Sequence, residues 1–152
     1  MKALAVKQPW AALLVEGQKT IEVRSWKTEH RGMLVICASS APKNVFWHDT
    51  TDNEHRLMHA GCIIGIVDLI DVRLMLESDN DASAGNYLKG AYAWVIKPVS
   101  YCRPDRITGR LNLFDVPDDK LIRIANDETD WIFNYPCPQG QIKFTERCDD
   151  LE

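Results

Sequence analysis

Long apolar runs are missing from this chain of 152 residues. The longest begins at Cys62, is broken only by Gly65 and stops before Asp68, far short of the roughly 20 residues that span a bilayer. Lys7 interrupts the apolar residues near the start, so the apolar core of a signal peptide is missing as well. We therefore expect a cytoplasmic protein with no membrane partner.

Cysteine patterns that hold metals or disulfide frameworks are also missing. The five cysteines are scattered, and no two stand at Cys-x-x-Cys spacing or pair with one of the four histidines at a ligand spacing. His55 and His59, four residues apart, would share one helix face, but no third ligand accompanies them, and we interpret both as solvated. The sequence predicts reduced thiols, no metal and no cofactor.

The sequence also lacks an overall excess of positive charge. The formal net charge is −4, which argues against a nonspecific nucleic-acid binder. The positive charges are nevertheless concentrated: residues 1–43 carry seven Lys or Arg against three Glu, and residues 89–110 carry five against one Asp. If folding brings these two blocks together, they form a local site for an anion within an acidic protein.

The apolar segments that are present predict a single α+β domain over residues 1–152, without repeats or linkers. A helix follows a short strand at residues 3–6. Pro9 suits the first turn of this helix and Gly17 its left-handed end. Trp10 recurs with Leu13 and Leu14 at helical spacing, and we interpret it as a core anchor.

Alternating or continuous apolar residues predict the other strands, and Gly65 marks a bend or bulge in the central one. We expect strands over residues 20–25, 34–38, 61–75, 91–100, 120–124 and 141–144, a helix over 39–49, and loops over 77–85 and 101–110. Many short strands beside few helices are typical of a β-barrel or a compact α+β fold.

The segment from Gly17 to Trp26 contains the most informative pattern. A glycine stop precedes Lys19, and strand alternation then projects Glu22 and Arg24 to one side. Arginine and lysine suit a phosphate, and an exposed tryptophan offers a stacking face for a base. On spacing alone, an ordinary surface ladder of charges is the more common interpretation.

The spacing Gly17-x-Lys19-x-x-Glu22-x-Arg24 is similar to the G-x-K-x-x-E-x-R signature of the ASCH superfamily, which is related to PUA domains. Further segments resemble ASCH domains of the eukaryotic cointegrator type, and together they cover about residues 3–75. They are Gln8–Gly17, Arg24–Trp26, His30–Gly32 and Gly61–Asp71.

This resemblance implies a PUA-like β-barrel with flanking short helices, and a cleft that binds RNA or a nucleotide-like ligand. The residues that it places in or near the cleft are Lys19, Glu22, Arg24, Ser25, Trp26, His30 and Arg31. From the charge blocks we add Arg103, Arg106 and Arg110, which we expect to lie against Lys19 and Arg24 as one basic face.

Two alternatives to a binding module stay open. Some small relatives hydrolyse N4-acetylcytidine with a Thr nucleophile where this chain has Glu22, and others have been proposed as ribonucleases. In a metal-independent hydrolase, Glu22 and Lys19 would be catalytic, with His30 as an acid and Arg24 as a further cation. The second alternative is an adaptor that binds a protein partner. The sequence does not indicate the oligomeric state.

Overall fold

A computed structural model describes residues 1–41, 45–49 and 54–124. The strands are β1 (Lys2–Val6), β2 (Ile21–Arg24), β3 (Gly32–Ala38), β4 (Phe46–Asp49), β5 (Glu54–Leu57), β6 (Cys62–Leu74), β7 (Tyr92–Arg106), β8 (Phe114–Asp115) and β9 (Arg123–Ile124). The helices are α1 (Trp10–Glu16) and α2 (Asn80–Ser83), and short 3₁₀ turns cover Glu77–Asp79 and Asp118–Lys120. The predicted single domain over residues 1–152 stays a prediction, because residues 125–152 lie outside this description.

Seven strands form one mixed sheet in the order β2-β7-β6-β3-β1-β8, with β9 also paired to β7. The β1–β3 pair is parallel and the other pairs are antiparallel. The guanidinium of Arg24 on β2 donates to the carbonyl oxygen of Ala5 on β1 at 3.0 Å. Since β2 and β1 are far apart in the strand order, the sheet must curve back on itself. This confirms the predicted α+β, PUA-like fold.

Strand alternation divides the core between the two faces of this sheet. One apolar cluster contains Leu4, Val6, Leu34 and Ile36, and α1 packs against it. The other face buries a smaller cluster, to which Ala3, Val35, Cys37, Ile63, Ile66, Cys102, Phe114 and Val116 contribute. Consecutive residues of β1 and β3 therefore enter different clusters, as period-two geometry requires.

Glycine allows the helix to approach the sheet closely. A Cβ placed on Gly65 would lie 2.4 Å from a methyl group of Val15 on α1 and 2.9 Å from the carbonyl oxygen of Ser100. The register between β6 and β7 also shifts between Ile63 and Gly65. The predicted irregularity at Gly65 is confirmed, and a side chain at this position would overlap Val15 and the Ser100 carbonyl.

Two sequence predictions between residues 39 and 59 were wrong. Phe46–Asp49 is a strand rather than part of a helix, consistent with the strand preference of the valine and aromatic residues at 45–47. Residues 42–44 and 50–53 lie outside the description. Since Glu54–Leu57 is also a strand, His55 and His59 share no helix face, and His59 is buried rather than solvated, with 1% exposed.

The strand predicted over residues 91–100 continues to Arg106, so the first part of the loop predicted at 101–110 is strand instead. The register between β6 and β7 shifts beside Pro98, and a proline is tolerated at such an irregularity because no ladder hydrogen bond needs its missing N–H. The loop predicted at 77–85 contains a 3₁₀ turn and α2. The strand predicted at 120–124 is confirmed only at Arg123–Ile124, and that at 141–144 lies outside the described residues.

The three cysteines in the described part of the chain are buried and form no disulfide. Burial raises the pKa of the Cys37 thiol to about 12 and that of Cys102 to about 11, so both stay protonated and unreactive near neutral pH. No cluster of three metal-ligating side chains occurs within the described ranges. None of the helices described here has the length and apolar character to cross a membrane.

Candidate functional site

The end of α1 determines where Lys19 lies. Gly17 adopts a left-handed conformation (φ 85°) and closes the helix, and the backbone N–H of Lys19 then donates to the carbonyl of Leu13 at 3.0 Å. The ammonium group points inward, where it donates to the carbonyl oxygen of Ser83 and lies 3.4 Å from Oε1 of Glu22. Only 4% of the Lys19 side chain is exposed, so Lys19 lies behind the cleft rather than in its lining.

The Glu22 carboxylate lies between two cations. Its Oε2 accepts hydrogen bonds from Nε and Nη2 of Arg24, at 3.1 and 2.8 Å. Its Oε1 accepts from the backbone N–H of Val23 at 3.3 Å and faces the Lys19 ammonium. The carboxylate therefore uses both oxygens within the protein and fixes the plane of the Arg24 guanidinium.

Burial determines the electrostatics of this cluster. It lowers the pKa of Lys19 from its ordinary value of 10.5, because desolvation outweighs the opposing attraction of Glu22, and Arg24 lowers it slightly further. Two cations around one carboxylate leave the cluster with a net positive charge. This charge is presented at the surface by Arg24, whose side chain is 25% exposed.

A second ion pair positions the carbonyl that Lys19 uses. Arg73 on β6 binds Asp79 through two hydrogen bonds, of 2.7 and 2.9 Å, and Asp79 also accepts from the backbone N–H of Leu76 at 2.8 Å. These contacts lower the pKa of Asp79 to about 2, Arg73 being the largest cause. They anchor the segment that leads into α2, which carries Ser83.

A cleft of about 490 Å³ separates β1 from β2. Its lining comprises Leu4, Ala5, Val6, Lys7, Trp10, Glu22, Val23, Arg24, Ser25, Trp26, Ser39, Arg110, Leu111 and Asn112. Three cationic side chains line it, against one carboxylate that is already paired. Its size and mixture of apolar and polar groups are those of a small-ligand site.

The two tryptophans of the cleft lie in different environments. Trp10 is 41% exposed, so its interpretation as a core anchor was wrong. The buried face of α1 is instead formed by Ala11, Ala12, Leu14 and Val15, because small alanines let the helix approach the sheet and turn residue 10 outward. Trp26 is half-buried, and its ring meets that of Trp94 edge-to-face at 4.8 Å.

The structure brings only some of the predicted site residues together. Ser25 and Arg110 line the cleft with Glu22, Arg24 and Trp26. Arg106 lines an adjoining cavity together with Arg110. Of the three arginines predicted to lie against Lys19 and Arg24, the lining of the cleft contains Arg110 beside Arg24, while Lys19 is buried.

Three predicted residues lie elsewhere. The lining of the cleft contains neither His30, Arg31 nor Arg103. A ring nitrogen of His30 lies 2.9 Å from the carbonyl oxygen of Met33, and the Arg31 side chain donates to the carbonyl oxygens of Thr28 and His30. These contacts stabilise the turn between β2 and β3. The backbone N–H of Arg103 bonds to Ile122 beside β9.

Sequence reasoning missed Lys7, Trp10, Leu111 and Asn112 as parts of the cleft. The pattern in Gln8–Gly17 predicts the helix but not the position of its start relative to the cleft. In the structure Gln8 is buried, and its side chain donates to the carbonyl of His59 and accepts from the N–H of Ala12. This anchor fixes the start of α1 and thereby places Lys7 and Trp10 at the mouth of the cleft.

Comparisons with known proteins agree with this architecture. Activating signal cointegrator 1 is 43% identical over 82 residues in human and 42% identical over 82 residues in mouse, each match covering 45% of this chain. The match covers 14% of the length of either relative. The crystal structure of ASCH from Zymomonas mobilis has a TM-score of 0.53 and 14% identity, covering 78% of this chain and 89% of that one, which supports the fold alone.

A family model described as the ASCH domain matches residues 4–101. This range begins within β1 and contains α1 and β2, and these elements carry the signature and the inner wall of the cleft. The chain therefore belongs to the ASCH domain family.

Proposed function

We propose that this chain binds single-stranded RNA, or a nucleotide-like ligand, in the cleft between β1 and β2. The observation that carries the proposal is the composition of that cleft. Lys7, Arg24 and Arg110 line it beside the exposed ring of Trp10, and its one carboxylate, Glu22, is already paired. Cations for phosphate and an aromatic face for an unstacked base are the components of single-strand recognition.

Arg24 is the best-positioned phosphate ligand in the cleft. Glu22 fixes its plane, and the Ala5 carbonyl oxygen receives a third hydrogen bond. Its Nη1 makes no hydrogen bond with any residue in the described ranges, and that group remains for an anion. A guanidinium held in this way loses little conformational entropy when it binds.

Lys7 and Arg110 supply charge from the two rims of the cleft. Both side chains are exposed, and neither forms an ion pair with a described residue. Trp10 offers the stacking face, since it is more open than Trp26, whose ring packs against Trp94. The proposal thus assigns phosphate contacts to the cations and base contact to Trp10.

Hydrolysis of RNA or of a modified nucleoside remains an alternative prediction. The contacts of Glu22 and Lys19 in the structure do not favour it. A general base needs a carboxylate free to accept a proton from water. Both oxygens of Glu22 accept hydrogen bonds within the protein, and Lys19 is buried behind it. An adaptor role, a protein partner and a cytoplasmic location likewise remain predictions beside the binding function.

The test is the binding of a fluorescent ten-nucleotide RNA, followed by anisotropy over a range of salt concentrations. With three cations contacting phosphates, log affinity falls against log salt with a slope of about −2, given roughly −0.7 per contact. Lys7→Ala and Arg110→Ala should each reduce the steepness by about 0.7. Arg103→Ala, an exposed arginine outside the cleft, is the matched control and should leave the slope unchanged. An affinity that does not vary with salt would refute the backbone contacts.

A further inference from the structure

A second cavity, of about 720 Å³, adjoins the cleft. Its lining comprises Ala5, Ser39, Ser40, Gly61, Arg106, Ile107, Thr108, Gly109, Arg110 and Leu111. Four of these residues, Ala5, Ser39, Arg110 and Leu111, also line the cleft between β1 and β2. The two spaces therefore form one continuous groove, and Arg110 lies at the junction.

The loop after β7 forms the outer wall of this groove. The backbone N–H of Ile107 donates to the carbonyl oxygen of Gly61 at 3.1 Å, which ties the start of the loop to the start of β6. A Cβ on Gly109 would lie 3.1 Å from the Cβ of Ala5, so the loop crosses directly over β1. This close approach brings Arg110 next to the strand that borders the cleft.

The polar groups of the second cavity suit an anion with hydroxyl groups. The side chains of Ser39, Ser40 and Thr108 make no hydrogen bond with a residue in the described part of the chain, and two arginines border them. No carboxylate occurs in its lining. A cavity on the other side of the same loop shares Arg106, Thr108 and Arg110 with this one, but its lining adds Lys120 and two carboxylates, Asp105 and Asp115. Of these two cavities, the one without a carboxylate is the one more favourable to phosphate.

The second cavity also lacks an aromatic side chain. A base gains most of its sequence-independent binding energy by stacking on an aromatic ring, and that ring is provided in the cleft by Trp10. The second cavity is therefore equipped for the sugar and phosphate of a strand rather than for its base. Serine and threonine hydroxyls both donate to phosphate oxygens and exchange hydrogen bonds with a ribose 2′-hydroxyl.

We infer that this second cavity binds the phosphate and ribose of the nucleotide next to the one in the cleft, so that the ligand is a single strand of at least two nucleotides. The inference rests on the proposed function, because it extends the same site. It assigns Arg110 to the phosphate at the junction and the hydroxyl groups of Ser40 and Thr108 to the neighbouring nucleotide.

The test compares adenosine 5′-monophosphate with the 5′-phosphorylated dinucleotide pApA by isothermal titration calorimetry on the full chain. We expect pApA to bind about 10- to 100-fold more tightly, the value of one charge-assisted hydrogen-bonded contact. Ser40→Glu places a carboxylate in the second cavity, and it should remove this advantage while leaving the affinity for the monophosphate unchanged. Ser78→Glu, at an exposed serine that lines neither space, is the matched control. Thr108→Ala should reduce the advantage without adding charge.

Equal affinity for the two ligands would overturn the second subsite and leave binding in the cleft intact. An advantage that survives in Ser40→Glu would show that the second nucleotide lies elsewhere, which also overturns the inference. Failure of both ligands to bind would overturn the proposed function itself, and the inference with it.

Discussion

Replacement of Glu22 by glutamine is the sharpest test of the cluster beneath the cleft. The substitution preserves the shape of the side chain and removes the one negative charge between Lys19 and Arg24. Loss of one partner of a buried ion pair costs about 3 to 5 kcal/mol. Because Arg24 is partly exposed and water can replace its lost contact, we expect the free energy of unfolding to fall by about 2 to 4 kcal/mol.

The destabilisation should depend on pH in a specific direction. The pKa of Lys19 is already lower in the folded protein than its ordinary 10.5, and removal of Glu22 lowers it further. Between the folded and unfolded pKa values the unfolded chain binds more protons, so stability rises with pH. The variant should therefore recover stability relative to the wild type as the pH rises toward 10.5, by at most about 1.4 kcal/mol per pH unit.

Urea unfolding followed by circular dichroism measures both effects. With a slope of about 2 kcal/mol per molar urea, the midpoint should fall by about 1 to 2 M near neutral pH. Adding Lys19→Met should abolish the recovery at high pH, and Glu29→Gln, at an exposed glutamate, should change neither quantity. A loss below about 1 kcal/mol that is constant with pH would show that the three residues form only an ordinary surface ladder.

Three further predictions concern packing, acid stability and turnover. Gly65→Ala should destabilise the fold by about 1 to 3 kcal/mol, because its methyl group would overlap Val15. Thermal unfolding measures this, and Gly85→Ala, where the added Cβ meets no atom closer than 3.8 Å, is the control. The lowered pKa of Asp79, paired with Arg73, contributes stability that is complete above pH 3.8 and lost as the pH falls toward about 2. Asp79→Asn should remove that part of the acid transition, and an unchanged pH profile of the thermal midpoint would contradict the pairing. We expect the wild-type protein to leave N4-acetylcytidine and short RNA intact in chromatographic assays. Product formation would contradict this expectation and favour the hydrolase alternative.

Local chemistry made part of this structure predictable. Ile21 and Val23 alternate with Glu22 and Arg24, and this pattern correctly predicted a strand with both charged side chains together. Gly17 correctly predicted the left-handed end of α1, since few other residues adopt that conformation without strain. Such features depend on residues that are close together in the sequence, so a local sequence pattern includes all the residues that determine them.

The features that were missed depend on contacts between distant parts of the chain. Trp10 is exposed because Ala11 and Gly65 let the helix approach the sheet in another orientation. Lys19 is buried because Ser83, far along the chain, supplies a carbonyl oxygen for its ammonium group. The strand predicted over residues 91–100 continues to Arg106 because it pairs along this length with β6, which lies far away in the sequence. The local sequence around Trp10 or Lys19 does not include these partners, so it could not predict the contacts.

The family match ends at residue 101, inside β7, whereas the fold continues beyond it. β8 pairs with β1, and Phe114 and Val116 complete the second core cluster. A fragment trimmed to the match would lose both, so the described sheet and core extend beyond the part recognised by its sequence. The outer wall of the groove, residues 107–112, belongs to this additional part. In the proposed function, Arg110 and Thr108 would therefore contact the ligand from a loop that lies outside the part of the chain matched by the family model.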